Sequence, residues 1–362
     1  MAIKKNGTVL LTGFPGFIGK RLLVALAARH ARKNFVLIVQ ERLVDRAEAL
    51  LSALAEEVSG FAGRWEIAVG DITARRLGMS EETHADLLER VNEVWHLAAI
   101  YDLSVEEHLA YRVNVVGTIN VLDFCEACQS FERFMYVSTC FVSGSRDGLV
   151  REVELDEGQG FKNHYESTKF WAEVEVQRRM ETIPTVIFRP GIVVGDSRTG
   201  ETAKYDGPYY LMRFIMKMPE RVPMLNVGSG KNLVNIVPVD FVIDAMVEIA
   251  GQEGATNEVY HLADPNPMRA GDLVELIMET MGKAPPIGSL PPFIINTALR
   301  LSSVQSLVEI PHEAVVYFNH GARYGTDNML TALEDTEVRC PHISSYLDTI
   351  VHYLERNPDR PR

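Results

Sequence analysis

The first half of the chain alternates between short apolar runs and longer stretches in which apolar residues recur every three to four positions. The apolar runs have the length of buried strands and cover residues 8–12, 35–39, 66–70, 93–98, 133–138 and 185–189. Helical spacing fills the segments between them, most clearly over residues 105–128 and 165–181. This alternation predicts an α/β protein whose parallel sheet is covered by helices on both faces.

The rhythm changes after residue 189, where Pro, Gly and Tyr accumulate over residues 191–223. Strand-like residues 234–239 and 259–262 flank a helical pattern over 241–250, and a mostly helical tail follows. Long insertions at the carboxyl edge of such a sheet build substrate pockets. We therefore expect a main domain over 1–195, to which 233–263 return, a smaller and mostly helical substrate-binding lobe from 196–232 and 264–330, and a helical tail over 331–362.

The composition of the 362 residues, 46% hydrophobic and 23% charged, is typical of a soluble globular protein. The net charge of −13 argues against a nucleic-acid partner, because it offers no basic field to phosphates. No uncharged apolar run approaches the roughly 20 residues of a membrane span, and residues 1–7 lack the apolar core of a signal peptide. Four cysteines are too few for a disulfide scaffold, and Cys125 and Cys128 lie in a helical pattern without a second ligand pair, so we expect no metal site. These features predict a cytoplasmic protein.

A glycine motif follows the first apolar run. Gly13, Gly16 and Gly19 form a G-x-x-G-x-x-G between a strand and an amphipathic helix. Glycine lets the backbone approach a pyrophosphate, which rests on the N–H groups at the start of the next helix. An ordinary turn before a helix is the alternative, but the flanking elements favour a dinucleotide site and a Rossmann-type, doubly wound parallel sheet. The candidate cofactor contacts in this loop are Thr12, Gly13, Phe14, Pro15, Gly16, Phe17, Ile18 and Gly19.

The end of the second strand is where a bound dinucleotide has its adenine ribose. An acid there binds the ribose hydroxyls of NAD, whereas a basic residue holds the 2′-phosphate of NADP. Gln40 occupies the position of the acid, and Arg42 and Arg46 follow within reach of a phosphate. Glu41 leaves a ribose contact open, and a solvated charged loop is a further alternative. We expect NADP, as NADPH, to be preferred and NAD to remain an option.

Tyr165 and Lys169 stand four residues apart in a helical pattern, so that both side chains project from one face. A tyrosine has a pKa of about 10 in water and is a poor acid–base catalyst at neutral pH. A neighbouring ammonium favours the phenolate and lowers that pKa. Chance pairs of this spacing occur on exposed helices, but the glycine motif upstream favours a catalytic pair.

Hydroxyl side chains also end the fifth strand, in the segment 136–144. Ser138 and Thr139 lie roughly 25 residues before Tyr165. A hydroxyl at this position can hydrogen-bond a substrate carbonyl oxygen and polarise it for hydride attack. The pattern leaves both residues as candidates.

These motifs resemble those of the extended short-chain dehydrogenase/reductase superfamily and cover nearly the whole chain in the same order. The resemblance implies an NAD(P)-dependent oxidoreductase in which Tyr165 and Lys169 are catalytic and also contact the cofactor, Thr139 binds the carbonyl, and Ser138 is the second candidate. It implies that Asn114 supports a water or backbone link near the lysine, with a helix-kinking polar residue as the alternative. The further cofactor contacts that it implies are Asp71 and Ile72 at the adenine, Leu97, Ala98 and Ala99 in the wall under the cofactor, and Pro190, Gly191, Ile192 and Val193 at the nicotinamide.

Two segments narrow the resemblance. Residues 195–200, Gly-Asp-Ser-Arg-Thr-Gly, and the closing stretch 326–357 are similar to the branch of fatty acyl-CoA reductases and thioester reductase domains. This implies reduction of an acyl thioester, bound to CoA or to a carrier, or of a fatty aldehyde. The alternatives are a dehydrogenase or reductase of a free ketone or alcohol, sterol-like or otherwise small and apolar, a nucleotide-sugar epimerase, and a non-catalytic cofactor-binding protein.

The segment 205–217 is rich in Tyr, Met and Leu, which suits either an adaptable acyl pocket or a lid helix packed on its own core. Basic residues around it offer a contact to CoA phosphates or a solvated face: Arg198, Lys204, Arg213 and Lys217. The helices over 105–128 and 165–181 form a dimer face in relatives. The charges that we expect on their outer side, Glu173, Arg178 and Arg179, leave monomer and homodimer open.

Overall fold

A seven-stranded sheet forms the centre of the computed structural model, which describes residues 7–102, 104–219, 226–227, 230–290 and 320–358. The strands of this sheet are β1 (Gly7–Thr12), β2 (Lys33–Val39), β3 (Trp65–Val69), β4 (Val91–His96), β5 (Arg133–Val137), β7 (Thr185–Pro190) and β12 (Glu258–Leu262). Their order is β3-β2-β1-β4-β5-β7-β12, and every neighbouring pair is parallel. The predicted Rossmann-type sheet is therefore confirmed. Its strand order reverses between β1 and β4, where such sheets bind ligands.

Helices cover both faces of this sheet and form most of the second lobe. They are α1 (Phe17–Arg29), α2 (Val44–Glu57), α3 (Glu81–Arg90), α4 (Glu107–Ala110), α5 (Gly117–Ala127), α6 (His164–Arg178), α7 (Pro208–Lys217), α8 (Val239–Ala250), α9 (Ala270–Thr280), α10 (Asp327–Leu333) and α11 (Leu347–Arg356). A π-helical segment, Tyr111–Val116, joins α4 to α5. Short 3₁₀ turns occupy Glu41–Leu43, Arg75–Gly78, Cys140–Ser143, Glu253–Ala255 and Ile343–Ser345. Within the described ranges, no helix combines the length and apolar character needed to cross a bilayer.

The core lies in two layers, one on each face of the sheet. Val9 and Leu11 of β1 pack in the layer with α1, α2 and α8, whereas Leu10 between them packs in the layer with α3, α5 and α6. Successive side chains of a strand point to opposite faces, and both faces are covered here, so that the strand is an unbroken apolar run.

The second lobe has its own apolar core, built by α7, α9 and α11. Around it lie short strand pairs: β8 (Ile192–Val194) with β11 (Ile236–Pro238), β10 (Leu233–Val234) with β13 (Met268–Arg269), β9 (Asn226–Val227) with β14 (Ser289–Leu290), and β6 (Gly148–Val150) with β15 (Ala322–Tyr324). The predicted lobe segment 264–330 includes residues 291–319, which lie outside the described residues. The helix α11 of the predicted tail packs into this lobe core through Ile350 and Leu354.

The single strand predicted over 234–239 is wrong. Its residues form two short strands, β10 and β11, that pair with different partners. Asn235 lies between them, and its side chain hydrogen-bonds both the N–H and the carbonyl of Asp264, at 2.8 and 2.9 Å. These two hydrogen bonds hold Asn235 between the strands, and the apolar run 234–239 is therefore divided into β10 and β11.

Candidate active site

The loop between β1 and α1 leaves no room for side chains at its three glycine positions. A Cβ atom on Gly16 or on Gly19 would lie 2.6 Å from the carbonyl oxygen of Gly13. Gly13 itself has a φ of +89°, and a Cβ there would lie 2.9 Å from the Cβ of Leu97. Gly16, the N-cap of α1, is exposed and has no side chain that could cap the first N–H groups of this helix. Such a helix start is suited to an anionic phosphate.

Polar side chains at the ends of β2 and β3 meet beside this loop. The Gln40 amide donates to a carboxylate oxygen of Asp71 at 3.4 Å, and Arg42 donates to the Gln40 carbonyl at 3.1 Å. Asp71 also accepts the N–H of Thr73, and Asn120 of α5 donates to the carbonyl of Ile72 at 2.7 Å. These bonds fix the Asp71–Ile72 segment and leave the exposed Arg42 next to it.

The segment after β4 forms the neighbouring wall. The N–H groups of Leu97 and Ala98 both donate to the Thr12 hydroxyl at 3.1 Å, which holds this segment against the end of β1. Ala99 follows as an exposed residue. The predicted contacts of the wall thus lie beside the glycine loop.

Tyr165 lies in the first turn of α6. The helix starts there because the Asn163 side chain accepts the N–H of Glu166 at 2.9 Å, an N-cap. The Tyr165 side chain is hydrogen-bonded to Thr139, and its ring contacts the ring of Tyr101 edge-on at 4.9 Å between centroids. Burial raises the pKa of Tyr165, and the hydrogen bond from Thr139 opposes that rise. Tyr165 is therefore a neutral hydroxyl that can donate a proton.

Lys169 lies one turn further along the same face of α6. Its ammonium donates to the Tyr136 hydroxyl and to the Val137 carbonyl, both at 2.8 Å. Burial lowers the pKa of Lys169 to about 7, against the opposing charge of Glu173. A lysine with this pKa can gain or lose its proton near neutral pH.

The structure separates the two candidate hydroxyls at the end of β5. Thr139 reaches Tyr165, whereas the Ser138 hydroxyl points the other way and donates to Glu173 at 2.5 Å. Both residues are nearly fully buried. Of the two, Thr139 is the one that shares a hydrogen bond with Tyr165.

Asn114 lies in the π-helical segment, and its side chain is fully engaged in protein contacts. Its carbonyl accepts the N–H of Ile100 at 2.8 Å, and its amide donates to the carbonyl of Ile100 and to the Thr168 hydroxyl, at 3.3 and 3.0 Å. The residue thereby ties the segment after β4 to the helix of Tyr165.

One expectation about α6 is wrong. Glu173, expected on the outer face of the helix, is fully buried and forms an ion pair with the equally buried Arg189 at 2.6 Å. Four residues after Lys169, Glu173 shares the helix face that packs on the sheet, and the arginine at the end of β7 neutralises its charge. The spacing from Lys169 was the signal that could have revealed this burial.

The segment after β7 is held by backbone hydrogen bonds from its own N–H groups. The N–H of Gly191 donates to the carbonyl of Leu262 at 3.0 Å, and the N–H of Ile192 to the carbonyl of Asn235 at 2.9 Å. A Cβ on Gly191 would lie 2.9 Å from that carbonyl of Asn235. Pro190 ends β7, and Ile192 and Val193 are half-buried in β8.

The segment 205–217 was expected to form either an acyl pocket or a helix packed on its own core, and several of its side chains take the second arrangement. Four side chains of α7 lie in the core of the second lobe: Tyr209, Leu211, Met212 and Ile215. Arg198, one of the predicted phosphate contacts, pairs with Asp196 at 3.5 Å.

Sequence reasoning missed Tyr101, which contacts Tyr165, and Asp206, which lies near Tyr101. Tyr101, 45% exposed, presents its ring to Tyr165. Asp206, just before α7, interacts electrostatically with Tyr101. The second lobe therefore approaches Tyr165 through Asp206 and Tyr101.

The sequence profile of the NAD-binding family described as male sterility protein matches residues 11–246. The chain belongs to this family. The match covers the glycine loop, the Tyr165–Lys169 pair and the segment after β7. It confirms the predicted extended short-chain dehydrogenase/reductase and its class, an NAD(P)-dependent oxidoreductase.

Two curated relatives are larger than this chain. A component of the linear gramicidin synthase of Brevibacillus parabrevis is 29% identical over 279 residues, which are 74% of this chain and 5% of that protein. The fatty acyl-CoA reductase wat of Drosophila melanogaster is 26% identical over 296 residues, 71% of this chain and 57% of that protein. The chain thus spans only part of the length of these relatives.

Solved structures share the fold of the family. The terminal R domain of the myxalamid PKS-NRPS biosynthetic pathway has a TM-score of 0.83 at 24% identity, covering 99% of this chain and 92% of that one. The UDP-glucuronic acid 4-epimerase of Bacillus cereus, in complex with NAD, has a TM-score of 0.65 at 20% identity, with coverage of 96% and 99%. At these identities, both similarities show a shared fold.

Proposed function

We propose that this chain is an NADPH-dependent reductase of acyl thioesters, bound to CoA or to a carrier, or of the aldehydes formed from them. The observation that carries the proposal is the hydrogen-bonded pair Thr139 and Tyr165, with Lys169 one turn further along α6, in a sheet whose first strand leads into a tight glycine loop. The names of two relatives, a fatty acyl-CoA reductase and a gramicidin synthase component, support an acyl substrate.

The residues of the site suit the chemistry of carbonyl reduction. The cofactor, when bound, supplies the hydride. The hydroxyls of Thr139 and Tyr165 are close enough together to donate to one carbonyl oxygen, and they stabilise the negative charge that develops on it. Tyr165 then gives its proton to that oxygen, and the ammonium of Lys169 favours the phenolate that remains. With an aldehyde the product is the alcohol. With a thioester it is a hemithioacetal, whose C–S bond then breaks: the thiol leaves with the hydroxyl proton, and the aldehyde remains.

A turnover assay tests this proposal. The full chain is incubated with NADPH or NADH and a panel of long-chain acyl-CoAs, fatty aldehydes and ketones, and nicotinamide oxidation is followed by absorbance. We expect acyl-CoA or aldehyde turnover with NADPH. Turnover of ketones alone would contradict the thioester proposal and indicate a free ketone as the substrate. Tight cofactor binding without any turnover would indicate a non-catalytic binding protein.

The preference for NADPH gives a second prediction. Replacing the exposed Arg42 by alanine removes the charge beside Asp71, so we expect the Kd of NADPH to rise about tenfold and that of NADH to change less than about twofold. Both constants are measured by fluorescence titration. Arg32→Ala is the control, since this exposed arginine lies at the opposite, amino end of β2. An equal loss for the two cofactors would contradict a phosphate contact at Arg42.

The glycine loop gives a third prediction. Gly16 has a φ of −66°, which alanine adopts without strain, so the Gly16→Ala variant isolates the contact of the added methyl with the Gly13 carbonyl. The loop must shift away from a bound pyrophosphate, and we expect the Kd of NADPH to rise about tenfold or more. Gly254→Ala is the control, because a Cβ there meets no atom within 4 Å. Unchanged binding in Gly16→Ala would place the pyrophosphate elsewhere.

A further inference from the structure

We propose that Tyr136 is a positioning residue for Lys169: its hydroxyl accepts a hydrogen bond from the lysine ammonium and keeps that side chain charged and in place. The inference rests on the proposed function, in which Lys169 acts beside Tyr165. Tyr136 lies on β5, three residues before Thr139, and is nearly fully buried under α6.

Two contacts join the lysine to this tyrosine. The ammonium donates to the Tyr136 oxygen at 2.8 Å and lies 4.4 Å from the centroid of its ring. The ring is itself held in a stack, with His96 at 5.8 Å and Phe134 at 6.1 Å between centroids. The hydroxyl therefore sits on a rigid support.

A chain of buried hydrogen bonds fixes the His96 ring on which Tyr136 stacks, and it starts at Thr12, just before the glycine loop. The Thr12 oxygen accepts the N–H groups of Leu97 and Ala98, which occupy both of its lone pairs. The Thr12 proton must then go to Nδ1 of His96, at 2.7 Å. Burial lowers the pKa of His96 to about 3, so the neutral ring carries its one proton on Nε2.

The chain continues to Thr118 on α5. His96 donates from Nε2 to the Thr118 oxygen at 3.0 Å, and the Thr118 proton goes to the carbonyl of Asn114 at 2.6 Å. His96 is thereby held from both ring nitrogens beneath the ring of Tyr136. An ammonium has no lone pair, so the Tyr136 oxygen faces Lys169 only as an acceptor.

The ammonium of Lys169 uses most of its hydrogen-bond donors within the protein. An ammonium has three N–H donors, and Lys169 donates two of them, one to the Tyr136 hydroxyl and one to the Val137 carbonyl. One N–H remains for a ligand such as a ribose hydroxyl. Because the Asn114 side chain is already bonded to Ile100 and Thr168, Tyr136 is the side chain that anchors the ammonium.

Other charged or titratable groups also face Lys169 and influence whether it carries a proton. Glu173, on the same helix, favours the charged lysine, whereas His96 on β4 is neutral and Tyr165 is a neutral phenol. Tyr136 remains neutral as well, because burial raises the pKa of its hydroxyl. Loss of the Tyr136 oxygen should thus leave the charge of Lys169 supported mainly by Glu173 and Val137.

The variant Tyr136→Phe tests this inference, because it removes the oxygen and keeps the stacked ring. Tyr260→Phe is the matched control: Tyr260 is a buried tyrosine on β12 of the same sheet, and its hydroxyl makes no hydrogen bond to the described residues. Two quantities are measured from pH 5.5 to 9: the Kd of NADPH by calorimetry, and kcat/KM with the best acyl substrate. Thermal unfolding checks that both variants fold.

Losing an acceptor disfavours the ammonium, so its deprotonation moves to lower pH. We expect the alkaline limb of both profiles to shift down by about one pH unit in Tyr136→Phe, an approximately tenfold loss above pH 8 that disappears at low pH. We expect Tyr260→Phe to match the wild type. Equal losses at every pH, no change, or the same shift in Tyr260→Phe would each overturn the inference. Absence of turnover in the wild type would contradict the proposed function instead, and the binding profile would still decide the role of Tyr136.

Discussion

Replacing Tyr165 by phenylalanine is expected to lower kcat about a thousandfold and to change the Kd of NADPH less than about twofold. The variant loses the hydroxyl that is bonded to Thr139 but keeps the ring that contacts Tyr101. Lys169 keeps both of its acceptors, because neither the Tyr136 hydroxyl nor the Val137 carbonyl depends on Tyr165. Steady-state rates with NADPH, beside fluorescence titration of the cofactor, measure the two effects separately.

The neighbouring hydroxyls provide the controls for this result. Thr139→Val removes the second donor to the carbonyl oxygen, and a loss of about a hundredfold in kcat is expected, whereas Thr139→Ser should keep most of the activity. Ser138→Ala should have a much smaller effect on kcat, because that hydroxyl faces Glu173. If Tyr165→Phe kept more than about a tenth of the wild-type kcat, another group would have to supply the proton.

The sheet could be predicted from the sequence because its central strands are buried on both faces. Such strands are short, continuous apolar runs, and β1, β2, β5 and β7 begin and end within two residues of the predicted bounds. The predicted return of the chain to the main sheet corresponds to β12, which adds to β7 at the edge. Spacing alone also placed Tyr165 and Lys169 on one face of a helix.

The direction of the hydroxyls at the end of β5 could not be predicted. The strand ends at Val137, and Thr139 continues in extended backbone with φ −157° and ψ 151° before the turn that starts at Cys140. Ser138 and Thr139 therefore point to opposite sides. Which side faces Tyr165 depends on how α6 packs against the sheet, and a single sequence carries no information on that packing.

Contacts between different helices and strands could not be predicted from the sequence for the same reason. The bond from Lys169 to Tyr136 joins a helix to a strand 33 residues away. The interaction between Tyr101 and Asp206 joins the main domain to the second lobe. A charged residue such as Glu173 is expected on a solvated face unless a buried partner is known, and Arg189 becomes that partner only in the folded chain.

The Glu173→Ala variant is expected to be destabilised by about 3–5 kcal/mol, the largest effect on folding that we predict. Both side chains of the pair are fully buried, and Arg189 donates to both carboxylate oxygens of Glu173. An arginine cannot lose its proton, so removing the carboxylate leaves an unpaired charge in the core. Equilibrium unfolding in urea measures the change in the free energy of unfolding.

Glu175, two residues further along α6, is the matched control for this prediction. It also pairs with an arginine, Arg178, at 2.6 Å, but that arginine is 66% exposed, and such a surface pair contributes less than about 1 kcal/mol. The two variants therefore remove the same group from the same helix and differ in the burial of the arginine partner. A small effect in Glu173→Ala would mean that water or a rearranged acceptor reaches Arg189. If the loss is as large as predicted, the Glu173–Arg189 pair is a main contribution to the packing of α6, which carries Tyr165 and Lys169, against β7.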